Sequence, residues 1–280
     1  MHAFVDSLYR YPVKGLTPER LDSVELRADY GFPSDRLFAL AKPTGLYDAG
    51  AFVPLSKREY FVLLNTERLA GLATRFDDET RMLTVTVQGH PVLEADLSTR
   101  AGRDEFVELY ARVTDLPEGV RPVFAEQPGY NFTDNANDGP RMMNSISLIN
   151  LASIRDLERR SGVALDPLRF RANVYLDGPD AWAERAWIGR ELRLGASGVT
   201  VRVLEETGRC AATEVDPATA RRDIPVPRLL HEHYGHEIMG VFAEVVSAGV
   251  LATGDAIGFV RAGAEDGVQA AAASGHGAGA

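Results

Sequence analysis

Val199-Thr200-Val201-Arg202-Val203-Leu204-Glu205-Glu206-Thr207-Gly208-Arg209-Cys210 is the stretch on which the fold turns. Val199, Val201 and Val203 alternate with Thr200 and Arg202, the period-two pattern of a half-buried strand. That strand runs through Thr207-Gly208 directly into the single cysteine of the chain. A sulfur just beyond a strand end sits where backbone amides are not all used by the ladder, and the neighbouring Arg209 favours the thiolate. Such a thiolate is a nucleophile or a soft metal ligand; the competing role, and the commoner one for a lone cysteine, is a small buried hydrophobe.

Outward from this strand the chain is mostly β. Glu191 to Leu194 and Ala172 to Asp177 are strand-like runs before it, and Gly240 to Val260 predicts two or three strands around Ala248-Gly249 and Thr253-Gly254-Asp255. A helix is predicted between them and the first half: Ser147 caps it, Leu148, Leu151, Ala152 and Leu157 share a face, and Gly162 stops it. In the first half, short apolar bursts from Val5 to Leu40 predict several short strands, and Met82 to Val87 alternates as another. Phe61, Leu64, Leu69, Leu72 and Phe76 lie near helical spacing and predict a helix over Glu59 to Phe76; Phe106, Leu109, Tyr110 and Val113 predict a second over Glu105 to Val113. The polar stretch Gly129-Tyr130-Asn131-Phe132-Thr133-Asp134-Asn135 is the candidate boundary or lid. Residues 262–280, mostly alanine and glycine, predict a disordered tail.

The composition excludes several classes. Over 280 residues, thirty basic against forty acidic side chains give a formal charge of -10, so the surface as a whole repels phosphate backbones and anionic lipid; neither nucleic acid nor membrane is an expected partner. One cysteine cannot close an intrachain disulfide, hold an iron–sulfur cluster or build a cysteine-rich zinc site. The start lacks a basic region followed by an apolar one, and Val241 to Val260 is interrupted by Glu244 and Asp255, so the expected location is the cytoplasm. Only Lys14, Lys42 and Lys57 among the thirty basic residues are lysines, which gives weight to a lysine inside a motif. His231, His233 and His236 form a conspicuous group, but Gly235 breaks the helix and the spacing is not that of the zinc helix His-Glu-x-x-His, so an exposed loop or frayed helix end is expected and none is assigned to catalysis.

Arg169-Phe170-Arg171-Ala172-Asn173 places two arginines and an amide on one face of an entering strand, a fork suited to phosphate or else an ordinary solvated edge. Taken in order, Leu148-Ile149-Asn150-Leu151-Ala152-Ser153, Arg169 to Asn173, Trp187-Ile188-Gly189, Arg209-Cys210, Val215-Asp216-Pro217 and Gly249 to Ile257 resemble the MOSC domain family, named for the C-terminal part of molybdenum cofactor sulfurases. Tyr11-Pro12-Val13-Lys14-Gly15 and Asp35-Arg36-Leu37-Phe38 resemble the β-barrel module that precedes MOSC domains in amidoxime-reducing proteins and their bacterial relatives.

The resemblance spans residues 3 to 261 and implies an α+β, mostly β fold. A small N-terminal β-barrel module over 1–127 would precede a MOSC-type β-barrel domain with flanking helices over 128–261. It implies that Cys210 ligates the molybdenum of a pterin cofactor (molybdopterin), and that Lys14, Arg36, Arg171 and Arg209 surround its phosphate and pterin. Asn173 would bond the pterin or fix the strand end, and Asp216 would orient the Cys210 loop or Arg209, or simply make an Asp-Pro turn. The activity implied is reduction of N-hydroxylated or related N–O and S–O compounds, with electrons from a separate iron–sulfur or flavin protein. The alternative is a carrier of molybdenum cofactor or sulfur without catalysis of its own. The sequence departs from the family pattern at Ala172 where proline is usual, and at Gly15 and Gly208 where serine is common; backbone amides at the two glycines would take over from the lost hydroxyls.

Overall fold

The computed structural model describes residues 3–260; the tail expected over 262–280 lies outside them. The first half contributes β1 (Phe4–Arg10), β2 (Glu19–Leu21), β3 (Ser23–Leu26), β4 (Phe38–Ala41), β5 (Ala73–Phe76), β6 (Met82–Val87), β7 (His90–Asp96), α1 (Arg100–Val113) and β8 (Val123–Glu126). The second contributes α2 (Pro140–Met143), β9 (Ile146–Asn150), α3 (Leu151–Ser161), β10 (Val174–Asp177), β11 (Glu191–Leu194), β12 (Val199–Gly208), α4 (Val226–Tyr234), β13 (Ile238–Ser247), β14 (Gly249–Ala252) and β15 (Ile257–Phe259).

Alternating valines place β12 at the heart of an eight-stranded sheet of order β15-β11-β12-β13-β9-β10-β1-β2. The sheet closes on itself: Phe4 bridges Ala256, the Val5 amide donates to the Asp255 carbonyl at 2.8 Å, and the Ile257 amide donates to the Ala3 carbonyl at 2.9 Å. Closure pairs edge groups that would otherwise face water. Inside, Val5, Leu8, Ile146, Leu148, Val174, Leu176, Val201, Val203, Val241 and Ala243 form one buried cluster. Because β1 pairs with β10 and β3 with β14, the first 26 residues are woven into the barrel of the second half before the chain leaves it.

The chain then builds a smaller unit from the pair β4-β8 and the triplet β5-β6-β7, covered by α1, with Phe38, Leu40, Phe76, Leu83, Phe106 and Tyr110 in its core. The architecture is α+β and mostly β, as the sequence implies. Among the described residues no helix is long and apolar enough to cross a membrane.

Three helix expectations are corrected. Glu59 to Phe76 is not a helix but two short 3-10 turns, Lys57–Glu59 and Glu67–Gly71, followed by β5. The Asn65 side chain accepts from the Val62 amide at 3.2 Å, a local bond that competes with helical pairing. Ser147 lies inside β9, and the cap of α3 is Asn150, whose side chain accepts from the Ala152 amide at 3.1 Å. Gly162 does end that helix, in the left-handed conformation at φ 72°. The second helix begins at Arg100 rather than Glu105, because the Thr99 side chain caps it.

Candidate functional site

Cys210 follows the end of β12, where Gly208 still pairs with Ile238 and the Arg209 amide donates to the Glu237 carbonyl at 2.7 Å. Its backbone is extended, and its carbonyl accepts from both the amide and the hydroxyl of Thr213, at 3.0 and 2.9 Å, which starts the 3-10 turn Ala211–Glu214. That turn is clamped by Arg169, a buried side chain that donates to the Glu214 carbonyl and pairs with Asp216 at 2.9 Å and Asp223 at 2.8 Å. Arg169 is thus committed to the Cys210 loop, and it is not on a strand: residues 167–170 form a 3-10 turn, so Arg169 and Arg171 diverge. Asp216 orients Arg169 rather than Arg209. Its carboxylate also accepts from the Ala218 and Thr219 amides, the turn function expected of an Asp-Pro pair.

The thiol opens on a cavity of about 380 Å³ also lined by Lys14, Arg36, Lys57, Asp134, Arg171, Asn173 and Arg209. It lies where the chain passes from β1 of the barrel into the smaller unit. Tyr11, in that passage, is fully buried, and the Arg36 and Arg171 guanidiniums lie over its ring, 4.1 and 4.4 Å from the centre. Both arginines have left-handed backbones, at φ 51° and 54°. Such a conformation costs a side-chain-bearing residue about 1 kcal/mol or more and persists where surrounding contacts fix it. Here the Arg36 side chain donates to the Arg171 carbonyl at 3.0 Å, and the Arg36 amide to the Tyr11 carbonyl at 2.6 Å.

Arg36 is paired with Asp35. Arg171 and Arg209 are not paired with any carboxylate among the described residues: Arg171 donates to the Leu16 carbonyl at 2.8 Å, and Arg209 to the carbonyls of Met239 and Phe170, each at 2.8 Å. Burial pulls both guanidiniums down to about 10, which still leaves them charged at neutral pH. Burial also lowers Lys14, against the pull of Asp134.

Lys14 donates to the Phe132 carbonyl at 2.9 Å and to Asp134 Oδ1 at 2.6 Å, while Asp134 Oδ2 receives Lys57 at 3.0 Å. Desolvation alone would raise the Asp134 carboxyl, but the two lysines outweigh it and hold it far below the ordinary range. Lys57 Nζ lies 3.9 Å from Cys210 Sγ. Sequence reasoning singles out neither Lys57 nor Asp134 for the site. The scarcity of lysine and the polar stretch around Asp134 are the only signals that point to them.

Asn173 lines the same cavity, but its amide is engaged. Oδ1 accepts from the Ser147 amide and hydroxyl, at 3.1 and 2.9 Å, and Nδ2 donates to the Tyr9 carbonyl at 3.3 Å, so it ties β9, β10 and β1 together. The histidines stand apart. His231 and His233 belong to the last turns of α4, and His236 packs on Trp182 and Tyr234 with Arg185 2.8 Å from Nε2. Among the described residues no three His, Cys, Asp or Glu side chains group to hold a metal ion, so a metal at Cys210 would depend on a non-protein ligand for its remaining positions.

The lining fits such a group in two respects. Thr207 Oγ1, Asn135 Nδ2 and Arg169 Nε are buried polar atoms without a partner among the described residues, and all three residues line the cavity. A thiol beside two arginines with no carboxylate combines a soft donor with an anion clamp.

Residues 135–258 match the family described as the MOSC domain, and residues 2–120 that described as the MOSC N-terminal beta barrel domain. No curated protein matches the chain. Among solved structures, the YUAD protein from Bacillus subtilis is similar at 14% identity and a TM-score of 0.41, over 92% of this chain and 94% of that one. YiiM from Geobacillus stearothermophilus is similar at 19% identity and a TM-score of 0.33, over 41% of this chain and 54% of its own. YiiM from Escherichia coli is similar at 13% identity and a TM-score of 0.29, over 43% of this chain and 56% of its own.

Proposed function

Because the chain belongs to the MOSC family, which is associated with molybdenum-cofactor binding, we propose that the Cys210 cavity holds that cofactor and that the protein is a reductase of N-hydroxylated or related N–O and S–O compounds. The observation that carries this reading is the pair Arg171 and Arg209, two half-buried guanidiniums without a carboxylate partner among the described residues, in the cavity that Cys210 enters. Buried charge without a counter-ion is costly, and an anionic ligand relieves the cost. The division of the chain into a module over 1–127 and a domain over 128–261 is part of the same proposal as a division of sequence, with β1, β2 and β3 contributed to the barrel of the second half.

Arg171, Arg209, Arg36 and Lys14 would bind the phosphate and pterin, and the Cys210 thiolate would ligate the metal. The group, when bound, supplies exchange of two electrons and an oxygen atom with the substrate. Tyr11 orients Arg36 and Arg171 toward the cavity, Arg169 fixes the turn that presents the sulfur, and Asn173 fixes the strand end behind it. Lys14 must exchange part of its bonding with Asp134 to meet a ligand anion. Electrons would come from a separate iron–sulfur or flavin protein, because one cysteine cannot supply a cluster within this chain.

The test is to purify the protein from a host competent for cofactor synthesis, then measure molybdenum by mass spectrometry and oxidised pterin by fluorescence beside a Cys210→Ser variant. Near-equimolar metal and pterin in the wild type, with metal reduced at least about tenfold in the variant, is the expected result. Wild type without either sinks the reading. Full loading with no reduction of an N-hydroxylated substrate by a chemical donor replaces the reductase with a cofactor carrier.

A further inference from the structure

Lys57 and Asp134 reach the cavity from two loops that are fastened to each other. Phe52 packs on Tyr130 at 4.7 Å between ring centres and Tyr60 on Phe132 at 5.4 Å, while Asn137 Nδ2 donates to the Leu55 carbonyl at 3.3 Å. The side chains of Lys57 and Asp134 are 34% and 52% exposed, against 6% for Lys14, so this ion pair stands at the mouth while Lys14 lies inside. Its ammonium is also next to the sulfur, at 3.9 Å. The pair is thus the more solvent-exposed part of the lining beside Cys210.

Both partners retain unused hydrogen-bonding capacity. An ammonium has three donors, and Lys57 directs one to Asp134 and another toward Cys210, leaving a third. A carboxylate oxygen accepts two bonds; Oδ1 of Asp134 receives Lys14 and Oδ2 receives Lys57, so each keeps a free acceptor site. The fixed loops hold the pair in place before a ligand arrives, so little ordering is needed on binding.

We propose that Lys57 and Asp134 form a substrate clamp that determines specificity: Lys57 donates to the oxygen of the N–O group, and Asp134 accepts from an N–H or O–H adjacent to it. The inference rests on the reductase reading and sharpens it. Of the two classes that reading admits, the clamp selects N–O compounds carrying a neighbouring donor over sulfoxides, which offer an oxygen acceptor and nothing for the carboxylate. A sulfoxide leaves Asp134 facing the ligand without a bond, a loss that discriminates more than a missing apolar contact.

The test is calorimetric titration of the purified protein with benzamidoxime and with methyl phenyl sulfoxide, two uncharged aryl ligands that differ in their donors. Wild type, Lys57→Met, Asp134→Ala and Asp134→Asn are compared, with molybdenum and pterin measured on each sample. Wild type is expected to bind benzamidoxime at least about tenfold more tightly than the sulfoxide. Asp134→Ala should remove that preference by weakening benzamidoxime alone, Asp134→Asn should restore part of it through the amide oxygen, and Lys57→Met should weaken both ligands. Equal affinities in the wild type, or an unchanged preference in Asp134→Ala, overturn the clamp, as does failure of benzamidoxime to bind. Loss of the preference with unchanged metal content supports the clamp; a preference that persists in protein lacking metal and pterin supports it too while sinking the cofactor reading.

Discussion

Arg171 lies over the ring of Tyr11, its guanidinium carbon 4.4 Å from the ring centre, although 160 residues separate the two in sequence. The same ring carries Arg36 at 4.1 Å, and the Tyr11 hydroxyl donates to the Ala172 carbonyl at 3.2 Å. One buried aromatic residue therefore sets the direction of two cations from different halves of the chain. Burial pushes its hydroxyl up to about 12, so it remains a neutral donor under ordinary conditions.

Tyr11→Leu should destabilise the protein by about 2 kcal/mol and lower pterin retention about tenfold, because both guanidiniums lose their support. Tyr11→Phe keeps the ring and should retain the cofactor. Thermal melting with pterin fluorescence on both variants checks this; equal pterin in Tyr11→Leu and wild type would refute the positioning role.

Arg171 and Arg169 are expected to behave oppositely. Arg171 has no carboxylate partner among the described residues, so Arg171→Met should cut cofactor content at least about tenfold while unfolding free energy moves by no more than about 1 kcal/mol. Arg169 holds Asp216, Asp223 and the Glu214 carbonyl, and Arg169→Met should cost about 3 kcal/mol. Urea unfolding of both variants, with pterin measured alongside, separates a ligand-binding arginine from a structural one.

The two glycines that replace family serines should differ as well. Gly15 has φ +89°, and a Cβ there would lie 2.9 Å from the Phe61 carbonyl oxygen, so Gly15→Ser should cost about 2 kcal/mol. A Cβ at Gly208 meets nothing within 4 Å, so Gly208→Ser should leave stability within about 0.5 kcal/mol of wild type. Chemical denaturation of the two variants decides; equal destabilisation would contradict the difference in backbone conformation.

Glu184 is fully buried and bonded to Ser153 at 2.7 Å and Asn150 at 3.1 Å, and burial raises its carboxyl above the ordinary 4.5. Between that value and its raised one, the folded protein keeps a proton that the unfolded chain releases, so stability falls as pH rises through the window. Glu184→Gln cannot ionise, and its stability relative to wild type should increase from pH 4 to pH 8. Melting curves across that range test the sign, and a constant difference would show that Glu184 does not titrate there.

Local pattern carried much of the fold. Alternation located β6 and β12 because a strand with one buried face must repeat every two residues. It failed over Glu59 to Phe76, where apolar residues at near-helical spacing serve two separate turns and a strand, and the Asn65 side chain bonds the backbone. It also misassigned Ser147, whose hydroxyl is taken by Asn173, a partner 26 residues away.

By itself, then, the sequence determined that a single thiol follows the end of a half-buried strand, that the chain is mostly β, and that arginine and lysine stand at motif positions in both halves. Tertiary structure decided which of those cations face the thiol. Closure of the barrel through Phe4 and Ala256 and the passage of the chain past Tyr11 bring Lys14, Arg36, Arg171 and Arg209 to one cavity, add Lys57 and Asp134, and commit Arg169, which lines the same cavity, to ion pairs with Asp216 and Asp223. The physical reason is range. Periodicity reports which face of an element is buried, whereas counter-ion pairing depends on distances between segments far apart in sequence, and those exist only once the chain has folded.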